Sequence, residues 1–291
     1  MAAETNVIKK ADIAKVRMID FALQFTGSLR KLNEILGVTR KIPVEEGATL
    51  KALKVTGTLD SSTVAEGDII PLSKYQTAYT DVGTVALNKW RKSTTAEAIV
   101  KGGYDQAVGA TTDKMVKDVQ KKIRTDFFTF LATGTGTASG ATLQPALANA
   151  WGVLSVLWED DAVETVYFLN PMDVSDYLGT AQVTMQTAFG MTYIENFLGL
   201  GTVILNSNVP QGTFYATAKE NVVLYYINVN NGDIADSFDL TTDESGYIGI
   251  HEYADNDRAC VNDLVMSGVT YFPERLDGIV VGSIEGTGNP S

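Results

Sequence analysis

The residue types that most often carry catalysis or bind metal ions are scarce in this sequence. His251 is the only histidine and Cys260 the only cysteine among 291 residues. A Ser-His-Asp triad needs a histidine base beside its nucleophile, and a zinc site needs several His or Cys ligands. A lone cysteine is most often a small buried apolar residue. We therefore predict no catalytic, cofactor-binding or metal-binding residues and no cofactor. The alternative is that His251 is one member of a catalytic triad or a zinc site.

Three polar stretches resemble ligand-binding loops without completing the pattern. The run GTGTASG, residues 134–140, follows a predicted helix and lacks the Gly-Lys-Ser/Thr ending of a phosphate-binding loop. The stretches ADNDRAC and DLTTDESG carry acidic residues, but not at the spacing of an EF-hand loop. We interpret the glycine-rich run as a helix end and flexible connector. An irregular calcium site in the acidic stretches stays open.

A basic cluster falls on a long predicted helix that starts near Thr112. Apolar residues along this segment, from Val116 to Phe130, step by three and four positions, as on one face of a helix. The cluster has residue types that bind phosphate, but its spacing favours a solvated face opposite Val116 and Val119. Its members are Lys114, Lys117, Lys121, Lys122 and Arg124.

The stretch VYFLNPMDVSDYLG, residues 166–179, has the form of a strand that breaks into a helix, where many α/β proteins place their chemistry. Asn170 is suited to cap a helix that begins at Pro171, and Asp173 falls in its first turn, where a negative charge is favourable. No nucleophile or glycine cluster accompanies them. We therefore predict a structural turn.

Charge is distributed unevenly along the chain. The net charge is −12, yet residues 1–150 hold 20 Lys and Arg against 15 Asp and Glu, whereas residues 151–291 hold three against 20. Either the asymmetry is a chance property of solvated faces, or the protein self-associates through complementary halves. No apolar run reaches the ~20 residues that a membrane helix needs, and no secretory signal is apparent. We expect synthesis in the cytosol and no membrane partner.

The predicted elements mix helices with antiparallel strands, which indicates an α+β fold. Residues 5–36 are predicted to be helical in two pieces, divided at Gly27, with Ser28 capping the second. Residues 42–90 read as a long two-stranded arm with a polar tip, and an isolated hairpin is marginal in water. Further helices are predicted at 93–101 and from Pro145. The runs GTFYATA and NVVLYYINV are predicted to pair, and later strands lie at 247–254 and 258–271.

The order of these parts resembles the major capsid proteins of tailed bacteriophages, whose fold recurs in herpesvirus shells and encapsulins. Four stretches carry the resemblance: the arm, the helix ending KKIRTDFFTFLATGTGT, the Asn-Pro turn, and VILNSNVPQGTFYATAKENVVLYY. The resemblance implies an N-terminal arm (1–41) lying along a neighbouring subunit, an extended loop (42–90) and a peripheral domain with its spine helix (91–135). It also implies an axial domain (136–255) and return strands (256–291), with GIVVGSIEG beside the spine helix.

The resemblance further implies a function and partners. The protein would be a major capsid protein that assembles as pentamers and hexamers into an icosahedral shell enclosing double-stranded DNA, held by loose contacts. Because residues 1–40 are too short for a fused scaffolding segment, it implies a separate scaffolding protein or a trimmed chain, besides a portal protein and decoration proteins. The location would be the virion capsid, assembled in the host cytoplasm. The alternatives are an encapsulin-type compartment, or a hydrolase with its site in the acidic half.

Overall fold

The computed structural model describes residues 10–60, 63–159, 164–180 and 184–285, and it confirms a mixed α+β fold. The helices are α1 Lys10–Ile35, α2 Ala96–Gly102, α3 Ala110–Leu131, α4 Leu143–Leu157, α5 Pro171–Thr180 and α6 Gly232–Phe238, and a π-helical turn, Asp105–Gly109, joins α2 to α3. None of the helices within these ranges combines the length and apolar character needed to cross a membrane.

The strands fall into two large sheets and one separate hairpin. The first strands are β1 Lys41–Pro43, β2 Thr49–Thr58, β3 Lys74–Thr84, β4 Asn88–Thr95, β5 Gly136–Gly140 and β6 Thr165–Leu169. They are followed by β7 Gln186–Ala188, β8 Met191–Phe197, β9 Gly201–Leu205, β10 Thr213–Ala218 and β11 Val222–Ile227. The last strands are β12 Thr241–Thr242, β13 Gly249–Asp255, β14 Cys260–Pro273 and β15 Ile279–Ile284.

The larger sheet has the strand order β5-β15-β10-β6-β9-β8-β7. Its central strand β6 is buried along its whole length, as the apolar run from Val166 predicts. Successive side chains of a strand point to opposite faces. Val166 and Phe168 accordingly join the core that contains α1 and α3. Tyr167 and Leu169 join a second core under α4.

The second sheet runs β1-β11-β14-β13-β12 and is organised by the long strand β14. β14 pairs with β4 and β13 along its first half and with β11 along its second. Phe127 of α3 connects the two sheets, because its ring centroid lies 5.5 Å from that of Phe168 and 5.6 Å from that of Tyr271. The long amphipathic helix predicted from Thr112 is therefore confirmed as α3, and its apolar face fills the space between the sheets.

Helix α1 is a single helix, so the predicted division at Gly27 is wrong. Phe25, Leu29 and Leu32 are buried on one face of α1, and this packing outweighs the ~1 kcal/mol cost of a glycine within a helix. The buried face contacts the chain's own core, and Tyr271 donates a 2.5 Å hydrogen bond to Asn33. Residues 18–36 therefore pack on the body of their own chain. Residues 5–9 of the prediction lie outside the described ranges.

Two other expectations about the strands need correction. Residues 136–140 of the glycine-rich run form β5, which pairs in parallel with β15, so they are not a flexible connector. β10 and β11 do not pair with each other: β10 lies between β15 and β6, whereas β11 lies between β1 and β14. β15 belongs to the larger sheet, where its hydrogen bonds go to β10 and β5, and its Ile279 joins the core that contains α3.

Candidate assembly interface

Within the described residues, the hairpin of β2 and β3 has its buried contacts with the body at its root. Leu50 and Val85 are buried there beside Ile227 and Phe272. The register shifts between Leu50 and Lys51, an irregularity of the kind that bends a strand. Beyond the root, residues 56–60 and 74–81 are exposed throughout. The predicted two-stranded arm is confirmed, and the part described beyond the root adds almost nothing to the core of its own chain.

The connection between the two strands carries an apolar surface that the sequence analysis missed. Ile69, Ile70 and Leu72 are 94%, 76% and 95% exposed, and Leu59 across the hairpin is 71% exposed. We call these four residues the arm tip. Clustered exposed aliphatic residues are typical of a surface that another molecule covers. The sequence does contain an indication of this surface, the run Ile-Ile-Pro-Leu at residues 69–72. It directly follows the polar segment on which the prediction of a polar tip was based.

Several ion pairs join the basic first half of the chain to its acidic second half. Lys92 Nζ of β4 lies 2.6 Å from Asp263 Oδ2 of β14, and Arg40 Nη1 lies 2.5 Å from Glu274 Oε2. Arg17 of α1 pairs with the buried Glu252 of β13. The charge asymmetry is therefore satisfied in part within one chain, and it is not by itself an argument for self-association.

The cluster around Glu252 fixes α1 to the body. Its carboxylate accepts hydrogen bonds from Arg17 and from Tyr104, and the Arg17 guanidinium lies 5.5 Å from the centre of the Tyr104 ring. Burial, together with the hydrogen bond to Glu252, raises the pKa of Tyr104 to about 12. These contacts hold the π-helical region, α1 and β13 in one arrangement.

The Asn-Pro turn is structural, as predicted. Asn170 Oδ1 accepts a 3.0 Å hydrogen bond from the Met172 amide, and its Nδ2 donates a 2.7 Å bond to the Val209 carbonyl. Asp173 accepts a 2.9 Å bond from the Gly212 amide, and burial raises the pKa of this carboxyl. The turn thereby ties α5 to the connection between β9 and β10.

The residues considered for catalysis do not come together. Cys260 pairs with Asp255 in the β13–β14 ladder, and His251 lies four residues further along β13, about 13 Å away. His251 stacks on Tyr253 with ring centroids 5.4 Å apart, and Cys260 Sγ contacts the Arg258 carbonyl oxygen at 3.2 Å. Within the described residues, no group of three or more His, Cys, Asp and Glu could hold a metal ion. The acidic stretches therefore form no such group there.

Comparison with known structures identifies the fold. The chain is similar to the virus-like particle protein from Pyrococcus furiosus, with 13% identity over 92% of this chain and 98% of that one and a TM-score of 0.51. It is similar to the Gordonia phage Cozz chain, with 12% identity over 86% and 85% and a TM-score of 0.53. It is also similar to the capsid chain of an empty GTA particle, with 10% identity over 98% and 94% and a TM-score of 0.54.

At these identities the likeness defines the fold alone. The chain has the capsid fold of tailed bacteriophages, as the order of its sequence segments predicts. No protein-family model and no curated protein sequence matches the chain. The fold is therefore assigned from the order of the elements along the sequence and from the topology of the structure, and not from sequence identity.

Proposed function

We propose that this protein is the major capsid protein of a tailed bacteriophage, which assembles into an icosahedral shell that encloses double-stranded DNA. The observation that carries the proposal is the arm with its apolar tip. In a single chain, four large aliphatic side chains are exposed to water at the end of a hairpin whose buried contacts with the body, among the described residues, lie at its root. Burying one such side chain contributes about 1.5–3 kcal/mol, so a neighbouring copy that covers the tip would gain substantially.

The capsid fold supports the same proposal, because a shell needs one chain to repeat the same contacts many times. The subunits would form pentamers and hexamers. The predicted arm, the spine helix and the axial part would each make some of the contacts between subunits. A separate scaffolding protein, a portal protein and decoration proteins are the proposed partners. Assembly would take place in the host cytoplasm, and the finished protein would reside in the virion capsid.

The shell would hold DNA by enclosure and not by tight binding. Strong binding to DNA requires several Lys or Arg side chains that neutralise phosphates, whereas this chain has a net charge of −12. Local basic contacts would contribute only loosely.

Sedimentation of the purified protein, with and without a coexpressed scaffolding protein, tests the proposal. We expect particles far larger than a monomer, and nuclease-protected DNA in particles from infected cells. A stable monomer under both conditions would contradict the proposal. Particles that contain a specific cargo protein in place of DNA would favour the encapsulin-type compartment instead.

A further inference from the structure

A small pocket lies between α3, the β7–β8 turn and the β9–β10 loop. The charges of its lining residues differ from those of the larger pockets in the described part of the chain. Its volume is about 210 Å³, and it is open to solvent. Lys121 and Arg124 are its charged lining residues, and no Asp or Glu lines it. By contrast, the larger pocket beside α1 mixes Lys31 and Lys219 with three glutamates.

The two cations of this pocket have no carboxylate partner in the part of the chain that the structure describes. Within the described residues, no Asp or Glu oxygen lies within ion-pair distance of Lys121 or Arg124, whereas Lys114 and Lys122 on the same helix each pair with an Asp one turn later. Burial lowers the pKa of Arg124, and no neighbouring anion opposes this effect. A half-buried guanidinium without a counter-charge favours an anion from solution.

The pocket walls are held in place before any ligand arrives. Arg124 Nη1 donates a 2.5 Å hydrogen bond to the Phe189 carbonyl, which orients the guanidinium. Gly190 permits this approach, because a Cβ there would lie 2.6 Å from Arg124 Nη1. Asn208 of the β9–β10 loop is held against α3, because its Nδ2 donates a 3.2 Å bond to Thr125 Oγ1, and the exposed Ser207 precedes Asn208.

We infer that this pocket binds one phosphate group, with Arg124 and Lys121 as the cationic ligands and Ser207 and Asn208 as neutral hydrogen-bonding groups. A guanidinium matches the oxygen geometry of phosphate, and a lysine adds a point charge. Pro171 at the start of α5 also lines the pocket but has no N–H to donate. The phosphate belongs either to free inorganic phosphate or to a nucleic-acid backbone. A nucleic-acid backbone as the source rests on the proposed function, whereas free inorganic phosphate does not.

The test compares two double variants of α3 that remove equal charge. Arg124→Gln with Lys121→Gln alters the pocket, and Lys114→Gln with Lys122→Gln is the matched control. Melting is measured in phosphate and in chloride at equal ionic strength, since a ligand that binds only the folded state raises the melting temperature. General salt effects of phosphate act on all variants alike. We expect the phosphate-specific increase in the wild type and the control, and its loss in the pocket variant.

A second arm measures binding of short oligo(dT) across a salt series. If the pocket binds a backbone phosphate, the magnitude of the slope of log K against log salt falls by about 0.7 in the pocket variant and is unchanged in the control. An unchanged slope in both variants, with the phosphate effect still lost in the pocket variant, supports the site and assigns it to free phosphate. Equal behaviour of the two double variants in both arms overturns the inference.

Ser207→Asp provides a variant that does not depend on the half-buried Arg124. The residue is exposed, so the fold should persist, while the new carboxylate would pair with the cations and repel a phosphate. We expect Ser207→Asp to lose the phosphate effect and Ser207→Ala to keep most of it. Phosphate binding that is equal in both would also overturn the inference, and either result leaves the proposed shell function to its own test.

Discussion

Lys92 Nζ lies 2.6 Å from Asp263 Oδ2, and this contact closes a polar cluster in which the Asp263 side chain is 1% exposed. The same carboxylate oxygen accepts a 2.8 Å hydrogen bond from Thr112, and Lys92 donates a 3.0 Å bond to the carbonyl of Val108 in the π-helical turn. One ion pair therefore joins β4, β14 and the start of α3. The arm leaves the body directly before β4, so this cluster supports the segment from which the arm projects.

Removing the cation of this pair should be costly. Lys92→Met leaves the buried carboxylate of Asp263 without its partner, and breaking a buried ion pair in this way costs about 3 kcal/mol or more. Urea unfolding of unassembled subunits measures the loss. Lys89→Met on the exposed side of the same strand is the control and should change the unfolding free energy little. Similar losses in both variants would show that the pair does not stabilise this region.

The arm tip should matter for assembly and not for folding. Ile69→Asn combined with Leu72→Asn alters two side chains that are more than 90% exposed, so the melting temperature of the subunit should stay unchanged. Shell yield should fall strongly, because each subunit loses about 1.5–3 kcal/mol for each aliphatic side chain that a neighbour buries. Gln76→Asn on the exposed part of β3 is the control. Normal shell yield from the double variant would refute the role of the tip.

Two glycines of the first 40 residues should respond in opposite directions to alanine. Gly27 lies within α1 with open space at its Cβ position, so Gly27→Ala should raise the unfolding free energy by about 0.5–1 kcal/mol. Gly37 has φ of +64°, and a Cβ there would lie 2.8 Å from Lys219 Cβ, so Gly37→Ala should destabilise the fold. Urea midpoints measure both. A destabilising Gly27→Ala would contradict the single continuous helix.

Tyr104 should ionise late in the folded protein. Its pKa is raised to about 12, above the value near 10 of an unfolded chain. Below pH 10 the phenol is protonated in both states and contributes no pH dependence. Between pH 10 and 12 the unfolded state releases this proton first, so the contribution of Tyr104 to stability falls as pH rises. The difference in phenolate absorbance between the wild type and Tyr104→Phe should show one transition near pH 12. A transition near pH 10 would contradict the burial of the Tyr104 phenol and its contact with Glu252.

The sequence was most informative where a repeating pattern reflects burial. The three- and four-residue steps of α3 and the apolar run of β6 predict elements that the structure contains, and the capping types of Asn170 and Pro171 predict the turn. The division of α1 at Gly27 failed, because a local glycine cost is smaller than the burial of Phe25 and Leu29. Pairing also could not be predicted, because β10 and β11 are adjacent in sequence yet belong to different sheets.

The sequence also predicted some features of the candidate sites and not others. The sequence predicted the two-stranded arm, but it did not predict the apolar arm tip, because polar residues directly precede Ile69 and favoured a polar tip. Lys121 and Arg124 were placed in a basic cluster on a helix, and their distinction from Lys114 and Lys122 depends on tertiary contacts. Only the fold brings Gly190, Ser207 and Asn208 to two members of that cluster and leaves those two without an acidic partner among the described residues.

Electron microscopy of the purified protein, assembled with its scaffolding partner where one is required, tests the central claim most directly. We predict closed shells in which Ile69, Ile70 and Leu72 of each subunit are buried against a neighbouring copy. Particles of the same chain in which these residues face solvent, or a preparation that contains only monomers, would contradict the account.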